Sequence, residues 1–378
     1  RSPSRGLGDV YKRQSIYSIK YMSDDEHIYD YTVIGGGLGG IISCFILLKK
    51  YKDISILWID QQGFTCGDLS KYSCVYANTP MKKMSKFFKE LVPYYQDCLT
   101  LCSKYDTDCN YCILSDFVDE LIHLTRILRN NKHITSVVKT IAMIDNTDTG
   151  HNMIILSTTN EQTYKTKKIV MATGCTPKTL NLGIPTIDLY KGLNKCLLRE
   201  LHYQNKKIVV FGNRHSGILV LKNLYELGYK YITNVVRSDI KIPQYIEEDD
   251  RELYDQTGIR GFTLQWTQEH LVPENKTNIN IIKEQYNKEE YDKTIQEAQY
   301  VIYAIGLEQR NSITIKYKNK PENDQQCYTT IEYNAKTGMI DENIYGMGVA
   351  FLNYFIYKDV SECEAGMFEF YEQGMRIL

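Results

Sequence analysis

The chain has 378 residues, with 45 Lys+Arg against 46 Asp+Glu, and 43% of its residues are apolar. At roughly 100–200 residues per domain this length predicts two to three domains, and so large an apolar share excludes a wholly disordered chain. Balanced charge without a long basic run argues against nucleic acid as a partner, and the largely apolar stretch Ile41–Leu48, interrupted only by Ser43, falls far short of the roughly 20 residues of a membrane span.

Arg1–Gln14 stands apart: the DVYKRQ within it resembles a translated sequencing-library adaptor, so the segment is expected to be an assembly artefact outside the fold. Tyr29–Ile34 then reads as a strand ending in glycines, Ile41–Lys50 as an apolar helix closed by lysines, and Ile54–Asp60 as a second buried strand. Together they make one βαβ unit. Residues 80–131 carry helical spacing, with Phe117, Leu121, Leu124 and Leu128 on one face. Residues 134–166 alternate and turn at Asp148–Gly150, which predicts a small antiparallel meander, and Lys168–Thr173 is a buried strand running into Gly174. A second βαβ unit follows: strand Lys207–Phe211, a helix near Gly217–Leu227 and strand Tyr231–Val236. Residues 238–297 carry unresolved helix and hairpin signals. Tyr300–Ile305 is a buried strand, Ile344–Phe351 a glycine-rich apolar run, and Glu362–Tyr371 a C-terminal helix.

The chemistry is carried by glycines. Gly35-Gly36-Gly37-Leu38-Gly39-Gly40 fits G-x-G-x-x-G between a strand and a helix. In such a loop the first glycine makes the tight turn, the second admits a pyrophosphate, and the third lets helix and strand pack closely, with the helix N-terminus facing the anion. Asp60 ends the next strand, where a carboxylate accepts ribose hydroxyls. A structural turn is the alternative. The second loop, Gly212-Asn213-Arg214-His215-Ser216-Gly217, keeps the outer small positions but puts arginine in the middle, where it either pairs with phosphate or marks a helix entry that binds nothing. His215 lies near the nicotinamide phosphates or is a satisfied loop histidine. The second strand of this unit runs out into Arg237, Ser238 and Lys241 rather than a carboxylate at its tip, which favours NADPH over NADH. Ala172-Thr173-Gly174 and Ala304-Ile305-Gly306 each end a buried strand after a βαβ unit, where a loop can cross beneath a cofactor.

The other candidates weigh less. Seven scattered histidines show no metal spacing, so no metal is expected. Eleven cysteines at irregular spacing read as reduced thiols of a cytoplasmic protein. Trp58 reads as core, and Trp266 as core or the wall of a site.

Taken in order, these motifs, closing with Gly346-Met347-Gly348, resemble the flavoproteins with two dinucleotide-binding domains: the pyridine nucleotide-disulfide oxidoreductases and flavin-containing monooxygenases. The resemblance spans about residues 25–375 and implies an α/β protein of two Rossmann-like, three-layer domains. An NAD(P)H domain at 196–315 is inserted into an FAD domain formed by 25–195 and 316–378. It implies that FAD lies on Gly35, Gly37, Leu38, Gly39, Gly40 and Asp60, along Asn78 and Thr79, and beside Thr173, Gly174 and Gly348. NAD(P)H is then expected at Gly212, His215, Ser216, Gly217, Arg237 and Gly306. The family's late Gly-Asp is Gly348-Val349 here, and its redox dithiol has no counterpart: Cys66 and Cys74 are too widely spaced, and the Cys-x-x-Cys at Cys109 and Cys112 lies in the helical insert. The implied activity is hydride transfer from NAD(P)H to flavin and then to a small-molecule or small redox acceptor, with a homodimer left open. A flavin monooxygenase and a non-catalytic dinucleotide-binding regulator are the alternatives.

Overall fold

The computed structural model describes residues 27–92, 113–147, 153–247, 251–254, 257–272, 274–284, 288–310, 312–318, 330–357, 360–364 and 366–378. The adaptor-like segment, the turn at 148–150 and the Cys109/Cys112 motif lie outside them. In chain order the first elements are β1 (Ile28–Ile34), α1 (Leu38–Lys50), β2 (Ile56–Asp60), α2 (Met81–Leu91), α3 (Leu114–Arg129), β3 (Ile134–Val138), β4 (Ile141–Asp145), β5 (Ile154–Thr158), β6 (Thr163–Met171) and β7 (Cys175–Pro177). The middle of the chain forms α4 (Leu189–Gly192), α5 (Lys195–Glu200), β8 (Lys207–Phe211), α6 (His215–Glu226), β9 (Tyr231–Val236), the hairpin β10–β11 (Gln244–Ile246, Arg251–Leu253), α7 (Gly261–His270), β12 (Ile279–Lys283), α8 (Lys288–Glu297), β13 (Tyr300–Tyr303) and β14 (Leu307–Gln309). Last come β15 (Thr314–Lys316), β16 (Met339–Asp341), β17 (Ile344–Gly346), the hairpin β18–β19 (Asn353–Tyr357, Val360–Glu364) and α9 (Met367–Ile377).

A nine-stranded mixed sheet and a four-stranded parallel sheet share one winding order in their parallel strands. In the larger, β3, β2, β1, β6 and β17 lie side by side and parallel. In the smaller the order is β12-β9-β8-β13, also all parallel. In each, the first strand sits between the second strand and a later one, which puts a crevice at the carboxyl ends where the winding reverses. β2 is buried at every position because apolar layers cover both faces. One layer joins Ile41, Ile46 and Leu47 of α1 to Phe88, Leu121 and Phe370, and the other joins Leu57 and Ile59 to Ile144, Leu156 and Ile344. Each such aliphatic side chain contributes about 1.5–3 kcal/mol by leaving water.

Three sequence expectations change. β3 does not belong to the antiparallel meander: it pairs parallel with β2, from Ile56 opposite Ile134 to Asp60 opposite Val138, and only β4, β5 and β6 form the meander. The C-terminal helix begins at Met367 rather than Glu362, because the segment ahead of it is the second strand of a hairpin. The strand expected at Lys168–Thr173 is the end of the longer β6, which starts as the antiparallel partner of β5 and finishes as the parallel partner of β1.

Candidate dinucleotide sites

The two glycine loops are built alike. Gly35 has φ +118°, and a Cβ there would lie 2.2 Å from the carbonyl oxygen of Ala172. Gly212 has φ +102°, and a Cβ there would lie 2.2 Å from the carbonyl oxygen of Ala304. The Ala-x-Gly motifs therefore act through the alanine carbonyl, which packs flat against the first glycine of each loop. The last glycine repeats the pattern: a Cβ on Gly40 would lie 1.9 Å from the Gly35 oxygen, and one on Gly217 would lie 2.4 Å from the Gly212 oxygen. At Gly35 and Gly212 only glycine tolerates both the dihedral and the approach, and at Gly40 and Gly217 the approach alone excludes a side chain.

Sequence reading missed the groups that hold these loops. The Trp58 indole N–H donates to the Gly35 carbonyl at 2.9 Å, and the Asn234 amide donates to the Gly212 carbonyl at 2.9 Å. Trp58 lies opposite Val33 in the sheet and Asn234 opposite Val210, so the two donors occupy equivalent positions. The buried Asn234 within Tyr-Ile-Thr-Asn-Val-Val was a visible signal, because an amide buried in an apolar strand needs partners. Trp58 gave none, since its ring alone accounts for its burial.

The first loop opens into a cavity of about 360 Å³. Of the expected residues, Gly35, Gly37, Leu38, Gly39, Asp60, Thr173, Gly174 and Gly348 line it, while Gly40 is buried behind the loop. Asp60 is occupied: its carboxylate accepts backbone N–H groups from Gly36 at 2.9 Å, Gln62 at 3.0 Å and Phe64 at 2.7 Å. It anchors the loop and keeps little free capacity for a further donor. Asn78 and Thr79 are not in the cavity wall; the Asn78 amide donates to the Gly258 carbonyl at 3.5 Å, between the two sheets' units.

The residues present fit FAD. α1 starts at Gly37 with no capping side chain and no first-turn carboxylate, so its N–H groups are free for an anion. A Cβ on Gly37 would meet only the Cys66 oxygen, at 3.6 Å, which leaves room for close approach. The Thr173 hydroxyl and the Arg310 Nε–H, both from residues of the cavity wall, are buried without partners. A phosphate- and carbonyl-bearing ligand satisfies such groups. Cys66 and Cys175 also line the cavity, but burial pushes their thiols up to about 12 and about 11, so both stay protonated at neutral pH.

The second loop is more open on one side and covered on the other. α6 likewise starts without a capping side chain or a first-turn carboxylate. Arg214 and Arg237 are exposed, and Ser216 is half-buried. Val236 stands in the register that Asp60 holds in the first unit, so the loop is tied instead by the Asn213 amide donating to the Ser238 carbonyl at 2.7 Å. His215 is covered by Gly258, where a Cβ would lie 3.3 Å from the His215 Cβ. Gly306 has φ +101° and nothing within 4 Å of a built Cβ. Among the described residues no group of three His, Cys, Asp or Glu side chains could hold a metal ion, and no helix is long and apolar enough to cross a membrane.

Solved structures with a similar fold include a flavin monooxygenase and a disulfide reductase. A flavin monooxygenase from Stenotrophomonas maltophilia superposes with a TM-score of 0.58 at 11% identity, over 92% of this chain and 96% of that one. A bacillithiol disulfide reductase from Bacillus cereus superposes with a TM-score of 0.55 at 14% identity, over 93% and 98%. In sequence, the chain is 26% identical over 204 residues to a ferredoxin–NADP reductase from Malacoplasma penetrans (strain HF-2), a match spanning 52% of this chain and about half (53%) of that relative. Residues 29–350 match the family described as pyridine nucleotide-disulphide oxidoreductase, so this chain belongs to that family of oxidoreductases.

Proposed function

We propose that the protein is an FAD-dependent NAD(P)H oxidoreductase that delivers electrons to a small redox acceptor. The observation that carries this reading is the pair of matched glycine loops, the first opening into a cavity with unpartnered buried donors. Bound FAD supplies the electron-transfer chemistry. The chain's own part is to bind and orient. Gly35–Gly40 present the α1 N-terminus to the pyrophosphate, and Thr173 gives its hydroxyl. Asp60 keeps the loop in shape and borders the ribose side of the site. Residues 25–195 and 316–378 form this FAD unit, and 196–315 the nicotinamide unit. There Gly212, Ser216, Gly217 and Gly306 hold the second dinucleotide. The exposed Arg237, beyond a buried Val236 where a ribose-binding carboxylate would stand, favours NADPH. No side chain is assigned as an acid or base. The protonated Cys66 and Cys175 do not support thiolate chemistry in this cavity.

Titrating the flavin-free protein with FAD, then adding NADPH or NADH anaerobically, tests the reading. It predicts saturable flavin uptake, bleaching of the flavin band, and a kcat/KM for NADPH about tenfold or more above that for NADH, a difference of about 1.4 kcal/mol. Absence of flavin uptake overturns the function, and a preference for NADH overturns the role of Arg237. Reoxidation by ferredoxin, a small disulfide or air then ranks the acceptors.

A further inference from the structure

The wall of the FAD cavity carries a charged pair that the binding role leaves unexplained. Asp68 comes from the short 3-10 turn Gly67–Tyr72 behind the glycine loop, and Arg310 follows β14, where the chain returns from the second sheet. The two side chains form an ion pair although they lie 242 residues apart in sequence. Asp68 also accepts from Lys71 at 2.9 Å and from Gln62 at 3.3 Å. Burial works against its charge, but these hydrogen bonds and the Arg310 guanidinium hold its carboxyl below the usual carboxylate range. The arginine is thus tethered at one end, while its Nε–H is buried without an acceptor. An orphaned buried donor is costly, so one placed in a cavity wall points to an acceptor on the occupant.

The pair lies at the end of the cavity that faces the second unit. Tyr72, in the same wall, packs against the apolar core of that unit, and β14 pairs with β7 in the two-stranded link between the sheets. A nicotinamide held by the second unit would reach a bound flavin from this end, and the hydride it would give, two electrons and one proton, would leave the cavity with one more negative charge. Resting on the FAD reading above, we propose that Arg310 is the residue that accommodates this charge, and that Asp68 sets how much of the guanidinium's charge is available to it.

Sulfite is the probe, because its lone pair adds to oxidised flavin and leaves the same extra negative charge without any other reagent. Flavin-loaded wild type, Arg310→Met, Arg310→Lys and Asp68→Asn are titrated with sulfite, and their FAD affinity and midpoint potential are measured alongside. Loss of one charge-assisted hydrogen bond predicts a sulfite Kd about tenfold higher in Arg310→Met, with a lower potential. Arg310→Lys restores most of the difference. Asp68→Asn moves the other way, to a lower sulfite Kd and a higher potential, because the counter-ion is gone. A merely structural pair would shift Arg310→Met and Asp68→Asn in the same direction, and that result, or equal sulfite affinity in all four proteins, overturns the inference. If the wild type takes up no FAD, the proposed function itself fails; if it takes up FAD and the variants do not separate, only the role of Arg310 and Asp68 fails.

Discussion

Trp58 and Asn234 do the same job with different chemistry: each carries one N–H across from the second strand to the carbonyl of a loop's first glycine. Removing the donor while keeping the volume strands a buried carbonyl, at about 1–3 kcal/mol. Trp58→Phe is therefore expected to weaken FAD binding about tenfold or more and leave the KM for NADPH unchanged, whereas Asn234→Leu should do the reverse; fluorescence titration and steady-state kinetics read the two effects. His215 adds a pH dependence. Burial pushes its imidazole from 6.5 down to about 4, only partly opposed by a hydrogen bond to the Gly258 backbone. The unfolded chain takes up a proton near 6.5 that the folded protein refuses until about 4, so stability falls as pH drops through this window and is unaffected above it. His215→Gln should flatten the slope of Tm against pH between 6.5 and 4, and an unchanged slope would remove His215 as its source. At this scale sequence reading found the glycines because their spacing is local. It missed the donors and the Asp68–Arg310 pair because those partnerships join residues 22–242 positions apart.

Among the elements, α9 shows where local pattern runs out. Met367–Ile377 follows Gly366 at the N-cap, and the preceding Val360–Glu364 is a strand whose partner, Asn353–Tyr357, no helical periodicity reveals. β3 was misplaced for a related reason: it neighbours β4 in sequence but pairs with β2, on the far side of α2 and α3. What α9 contributes is closeness to α1. The Lys49 ammonium meets the Tyr371 hydroxyl at 2.8 Å, and a Cβ on Gly374 would lie 2.5 Å from Ile46 Cδ1 and 3.0 Å from Met347 Cε. Both are flexible ends, so Gly374→Ala should be nearly neutral, its gain in helix propensity offsetting the contact. Gly374→Leu overpacks the crossing and should lose about 1–3 kcal/mol in urea unfolding. Met347 and Phe370 also line the FAD cavity, so the leucine variant should bind FAD less tightly as well.

For the molecule as a whole, the matched winding of the parallel strands in the two sheets was legible, because each βαβ unit announces itself by a glycine loop after a buried strand. Their junction was not. The β7–β14 ribbon, the Asn78–Gly258 contact and the packing of Tyr72 on the second core are all long-range. This layout has an optical consequence. The chain contains two tryptophans, Trp58 directly beneath the first loop and Trp266 in α7 of the second unit, stacked on His270 at 5.1 Å. Indole emission overlaps flavin absorption, and energy transfer falls with the sixth power of distance. At FAD concentrations that saturate both variants, bound flavin should therefore darken the emission of Trp266→Phe, which reports from Trp58, far more than that of Trp58→Phe, which reports from Trp266. Equal quenching in the two variants would move the flavin away from the first loop. Each unit carries its own fluorophore, so arrival at the first site and rearrangement around the second can be watched separately in one unlabelled protein.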